Sequence, residues 1–262
     1  MAERIAIGFV EAERQRRAGL PGAEVVALDG LALCFAGVPA PELNGALVER
    51  EPSDAVAALA AAEEESRRRN RTFGIDLQVG RQPVLDDAVR AAGLHRLFER
   101  PGLAARAVDL PAAAAPEGVR IEPVTDDRGA DGLGRVDAAA FDDPPEVAHG
   151  FYGRASRHGG RCFVAWSGGE PVGIASAYLH ARAVGVLGVG VVPHARRRGL
   201  GAALTLAAAR AFPRPTWCGR IRARWRGICT RRSGSFASRH GRCGPGHEVA
   251  IGLSGGPRIL AR

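Results

Sequence analysis

The chain has no lysine, only two tyrosines and one methionine, and no apolar run near the roughly 20 residues that a membrane span requires. The missing run predicts no transmembrane helix, and the start Met1-Ala2-Glu3-Arg4 lacks the basic-then-apolar order of a signal peptide. A soluble cytoplasmic protein with no membrane partner is therefore expected. The five cysteines are odd in number and irregularly placed, which excludes a disulfide framework. Cys218, Cys229 and Cys243, with His240 and His247, lack the close pairs of zinc sites, so reduced thiols and no metal are expected. Absent lysine beside abundant Ala, Gly, Arg and Pro is what GC-rich codons produce.

What is present is 262 residues, enough for one large domain or two small ones. The net charge of +8 would ordinarily point to nucleic acid or an anionic surface, so its location matters. From Arg214 onward there are eleven Arg and one acid, Glu248, while the other 25 Arg face 27 acids. The body of the chain makes no case for a polyanion. The tail lacks an interleaved aromatic pattern for base stacking, so no nucleic-acid partner is expected.

Four regions follow from the patterning. Residues 1–110 read as an N-terminal α/β region: strands within Glu24 to Gly37, a helix from Asp54 as N-cap to Arg69, a strand over Thr72 to Val79, a helix from Pro83 to Ala92 stopped by Gly93, and strands near His95 to Val108. Residues 111–118, rich in Ala and Pro, read as a linker. Residues 119–213 give a strand, Val119 to Pro123, a helix capped by Asp126 or Asp127 and running to Phe141, and a helix around Pro145 to Arg157. Strands at Arg161 to Trp166, Pro171 to Leu179 and Ala183 to Val192 follow, then a helix from Gly201 to Phe212. Residues 214–262 read as an irregular Arg/Gly-rich tail in which only Glu248 to Leu253 suits a strand.

One turn carries chemistry: Val191-Val192-Pro193-His194-Ala195-Arg196-Arg197-Arg198-Gly199-Leu200-Gly201. Pro193 ends the strand, and Gly199 and Gly201 let the backbone approach a ligand closely. Free amides at the helix start, its dipole and three arginines then favour an anion, a phosphate cradle. It is not a P-loop, for the Lys-Ser/Thr pair is missing, and its glycine spacing is not the dinucleotide fingerprint. The same residues also fit a plain strand-to-helix turn with solvated arginines.

Arg196-Arg197-Arg198-Gly199-Leu200-Gly201 after a strand ending Val191-Val192-Pro193 resembles motif A of the GNAT superfamily of N-acyltransferases, Arg/Gln-x-x-Gly-x-Gly/Ala, and the preceding strands have that family's order. The match covers about Arg120 to Phe212. The resemblance implies an α/β (α+β) fold with a mixed central sheet flanked by helices, here with an incomplete C-terminal part and a smaller α/β region in front. That region, Glu24 to Val108, resembles a degenerate copy of the same fold's later half, as in tandem members, without a motif A of its own. The resemblance further implies N-acyl transfer from acetyl-CoA, the cosubstrate, to a small-molecule or peptide amine. It implies that the pyrophosphate lies on the amides from Arg196 to Ala202, with Arg196, Arg197, Arg198, Gly199, Gly201 and Ala202 as binding residues. The pantetheine would pair with the backbone of Val189 to Val191. Homo-oligomerisation is compatible with the sequence.

The family's general base and its late tyrosine acid have no counterpart here. Ala183 to Val192 holds no carboxylate, and Tyr152 and Tyr178 both precede motif A. Tyr178 reads as a half-buried strand residue, His180 and His194 as exposed histidines beside loops, and Asp142 and Asp143 as turn residues, so catalytic residues stay unassigned. A non-catalytic acyl-CoA-binding or partner-binding module is the second reading. The tail also fits a reading-frame slip near Phe212 to Arg214. Taking the last base of each codon with the next two, Pro215 to Gly219 permits DLVW and Ile228 to Phe236 permits LYAALGFV, a strand and a helix of the family's kind.

Overall fold

The structure, a computed structural model, describes residues 2–19, 22–37, 44–78, 80–100, 105–112, 114–142, 160–180, 182–212, 217–219 and 225–229. Glu24–Leu28 (β1) and Leu31–Phe35 (β2) form an antiparallel hairpin over Asp29-Gly30, the expected strand content of this stretch. Gly30 stands at φ 71°, with the Arg50 carbonyl 2.7 Å from where a Cβ would sit, so the turn admits only glycine. Gly45–Val48 (β3) joins β2 antiparallel and Gly74–Gln78 (β4) joins β3 in parallel. Between them Ala55–Arg68 (α2) is capped as expected by Asp54, which accepts from the Ala57 amide at 2.9 Å. Pro83–Ala91 (α3) stops ahead of Gly93 at φ 71°, and His95–Arg100 (β5) and Ala105–Arg106 (β6) follow.

The second sheet uses Val119–Pro123 (β7), Arg161–Ser167 (β8), Glu170–His180 (β9) and Ala183–Val191 (β10), antiparallel in succession. Asp127–Phe141 (α4) is capped by Asp126, which accepts from the Gly129 amide at 2.8 Å. Leu200–Ala209 (α5) anchors through Leu200 and Leu204, both buried in the cluster that holds Val164, Ile174, Val184 and Val186. Each such side chain contributes roughly 1.5–3 kcal/mol by leaving water. Trp217–Gly219 (β11) then lies parallel to β10, and Trp225–Cys229 (β12) pairs antiparallel with β4 and β5.

Both sheets are six-stranded, in the orders β1-β2-β3-β4-β12-β5 and β6-β11-β10-β9-β8-β7. The halves therefore exchange edge material: β6 from the first closes the second sheet beside β11, and β12 from the tail sits inside the first. This corrects the reading of 214–262 as a tail in which only Glu248 to Leu253 suits a strand, because backbone pairing recruits two short segments whose side-chain pattern has no period. β11 falls within the stretch that the alternative frame reads as DLVW. Two further elements were not anticipated, β3 and the helix Ala2–Ala18 (α1). α1 lies against both sheets: Val10 packs with Ala32, Cys34 and Leu47, while Ala12 packs with Tyr178 and Leu187. The ion pair Arg17–Asp76, at 2.5 Å, ties α1 to β4. The helix expected around Pro145 to Arg157 and the strand at Glu248 to Leu253 lie outside the described residues.

Candidate functional site

Val192 donates its amide to Val172 of β9 at 3.1 Å, so the alternation of an antiparallel ladder turns the peptide groups of Val191 to the opposite edge of β10. A bulge takes in Val189. The register with β9 shifts between Leu187 and Gly190, and Gly188 takes φ 58°, which bends the strand locally. Among the described residues β11 covers that edge only at Ala183, Val184 and Gly185. The half of β10 that carries Val189 and Val191 thus presents backbone donors and acceptors beside the turn.

In the turn, Pro193–Ala195 forms a single 3-10 turn held by the buried Ala195, whose amide donates to Val192 at 3.0 Å. Arg197 (φ 65°) and Gly199 (φ 81°) are left-handed, which swings the chain into α5. Gly199 is the N-cap and offers no side-chain hydrogen bond. The first helical bond runs from Ala203 to the Gly199 carbonyl, 3.1 Å, which places the amides of Leu200, Gly201 and Ala202 ahead of the ladder. Among the described residues, a Cβ at Gly199 or Gly201 would meet nothing within 4 Å, which leaves space over this helix start. Arg196, Arg197 and Arg198 are all exposed.

The three arginines do not behave alike. Arg196 donates from Nε to the Val191 carbonyl (3.0 Å) and from Nη2 to the Ala140 carbonyl near the end of α4 (3.1 Å). Arg197 and Arg198 make no hydrogen bond or ion pair among the described residues. The end of α4 comes close because Gly190 has no side chain: a Cβ there would lie 3.0 Å from both Ala140 and the Phe141 ring. The sequence reading missed Gly188 and Gly190. Their signal was two glycines in an otherwise aliphatic strand, the usual mark of a bulge or a close approach.

The first sheet contains a counterpart of this crossing, with β3 and β4 parallel and α2 between them. There the helix start is filled from within. The turn carries Glu49, Glu51 and Asp54, with Asp54 on the α2 amides and Glu51 accepting from the Leu85 amide of α3 at 2.7 Å. Beside it the Ser53 hydroxyl and amide, then Arg50, hold the Asp29 carboxyl down at about 2. The carboxylates at this turn disfavour an anion there.

The remaining singled-out residues sit elsewhere. Tyr178 is fully rather than half buried, because α1 covers it. His180 is half-buried rather than exposed at the end of β9, His194 is exposed, and Asp142 is the left-handed C-cap of α4. Asp143 and Tyr152 lie outside the described residues. Cys34 and Cys162 are free and buried, and burial pushes the Cys34 thiol up to about 11. The described residues hold no cluster fit for a metal ion and no helix long and apolar enough to cross a membrane.

Residues 130–225 match the family model described as the acetyltransferase (GNAT) family. Among curated proteins nothing matches the chain. Among solved structures, a GCN5-related N-acetyltransferase from Kribbella flavida is similar at TM-score 0.68 and 19% identity, over 90% of this chain and 96% of that one. A tandem GNAT protein from the clavulanic acid biosynthesis pathway is similar at TM-score 0.53 and 18% identity, over 89% of this chain and 95% of that one. One from Sphaerobacter thermophilus, also titled a GCN5-related N-acetyltransferase, gives TM-score 0.55 and 14% identity, over 79% of this chain and 75% of that one. At these identities the likeness speaks for the fold. Residues 130–225 thus match the acetyltransferase (GNAT) family model, within a chain whose fold is similar to that of the GCN5-related N-acetyltransferase structures.

Proposed function

We propose that the chain binds acetyl-CoA at the turn between β10 and α5 and transfers the acetyl group to the amine of a small molecule or peptide. The carrying observation is the start of α5: an N-cap glycine without a side-chain bond, three leading amides ahead of the helical ladder, and exposed arginines beside them. Such a helix start binds phosphate through its amides and dipole. Arg197 and Arg198 add charge that is unpaired among the described residues, and Val189 and Val191 lie on the length of β10 that β11 does not pair with, where the Val191 carbonyl accepts from Arg196. In the reaction the amine nitrogen bonds to the acetyl carbon, the carbon–sulfur bond breaks, and the proton lost by nitrogen ends on the thiol. The test is release of free thiol from acetyl-CoA with a panel of amines. Turnover that Arg198→Ala and Gly201→Val both reduce at least tenfold supports the reading, and turnover indifferent to both contradicts it.

A second reading, acyl-CoA binding without transfer, is favoured by one pair of observations. β10 has no ionisable side chain from Ala183 to Val191, and Tyr178 is buried under α1. Saturable acetyl-CoA binding with no thiol release on any amine would select it.

A further inference from the structure

Arg196 is the only one of the three turn arginines whose guanidinium is engaged with the protein among the described residues. Its Nε meets the carbonyl of Val191 at 3.0 Å, the last residue of β10, and its Nη2 meets the carbonyl of Ala140 at 3.1 Å, 56 residues earlier in the chain. Ala140 lies in the final turn of α4, where carbonyls have no helical amide to accept from and where the helix dipole favours a cation. The contact is built from both sides. Gly190 removes the side chain that would hold Ala140 and Phe141 away, and the extended backbone of Arg196 (φ −66°, ψ 163°) aims its side chain back toward β10 rather than over α5.

From this geometry we infer that Arg196 is a positioning residue: it clamps the cradle to the end of β10 and to the C-terminus of α4, while the electrostatic attraction for phosphate comes from Arg197, Arg198 and the α5 amides. The inference rests on the cradle reading for its effect on ligand, but the clamp itself exists without ligand. The planar fork donates to two separate carbonyls from nitrogens held apart, whereas Lys gathers its donors on one nitrogen at the end of a flexible stem. A neutral Gln keeps one amide donor for the same carbonyls and loses the charge.

That difference gives the test. The full chain is compared with Arg196→Ala, Arg196→Gln, Arg196→Lys and Arg198→Ala by acetyl-CoA calorimetry from low to high NaCl. Arg196→Ala is expected to weaken binding about tenfold, the size of two exposed hydrogen bonds, at every salt concentration. Arg196→Gln regains part of that loss and Arg196→Lys does not. Arg198→Ala instead flattens the salt dependence, because a phosphate-facing charge is screened by salt and a clamp is not. Hydrogen exchange on the ligand-free proteins supplies the second arm: peptides from the last turn of α4 exchange faster in Arg196→Ala and unchanged in Arg198→Ala. Unchanged exchange in Arg196→Ala overturns the clamp whether or not acetyl-CoA binds. Rescue by Lys rather than Gln, or a salt dependence flattened as in Arg198→Ala, overturns the division of roles. If no protein binds acetyl-CoA, the cradle reading fails and the exchange result alone decides the clamp.

Discussion

At the scale of single residues, the two turn glycines carry different burdens. Gly199 is held at φ 81°, where any L side chain is strained, so Gly199→Ala should cost roughly 1–2 kcal/mol. Gly201 is ordinary helix with space above it among the described residues, so Gly201→Ala should stabilise by about 0.4–1 kcal/mol, read from chemical denaturation. Gly201→Val should melt close to the native chain yet bind acetyl-CoA at least tenfold more weakly, since its branches occupy the space over the free amides. An unaffected affinity would mean that the ligand does not pass over Gly201. These glycines were legible in the sequence because a strand, a proline and a helix bracket them. The direction of the Arg196 guanidinium was not, since its partner Ala140 is 56 residues away and contributes only a backbone carbonyl.

At the scale of elements, the strands and helices with clean apolar periods were readable: α2 with its Asp54 cap, α3 with Gly93, and β8 to β10 around their turns. α1 was not readable, because the face it buries includes the charged Glu13 and Arg17, which pair within the helix and, for Arg17, with Asp76 of β4. β11 and β12 were missed for the opposite reason: they are specified by the strands they join rather than by their own pattern. The two parallel crossings also differ in a way that has a consequence for binding. α5 starts beside arginines and an uncapped glycine, whereas α2 starts under its own Asp54 carboxylate. Calorimetry should therefore count one acetyl-CoA per chain. Asp54→Ala should lower stability by about 1 kcal/mol through the lost cap, without creating a second binding event. Two equivalents in the native chain would show that the first crossing also binds.

At the scale of the whole molecule, the exchange of β6 and β12 makes the two halves interdependent. A chain ending at Phe212 lacks both β11 and β12, leaves β10 with an unpaired edge and opens the first sheet between β4 and β5. Such a truncation should lose the cooperative thermal transition of both halves, visible as a broad melt by circular dichroism. A sharp transition equal to that of the full chain would show that the tail strands contribute nothing to stability. The fold class and the strand-to-helix turn were thus legible from local pattern, while the joining of the halves depends on pairings across more than a hundred residues and was not.

The most direct test of the central claim is calorimetric titration of the full chain with acetyl-CoA, beside Gly201→Val. The account predicts saturable one-to-one binding that weakens with added salt and drops at least tenfold in the variant. Absence of binding, or equal binding by both proteins, would contradict it and leave the turn between β10 and α5 as a structural connection only.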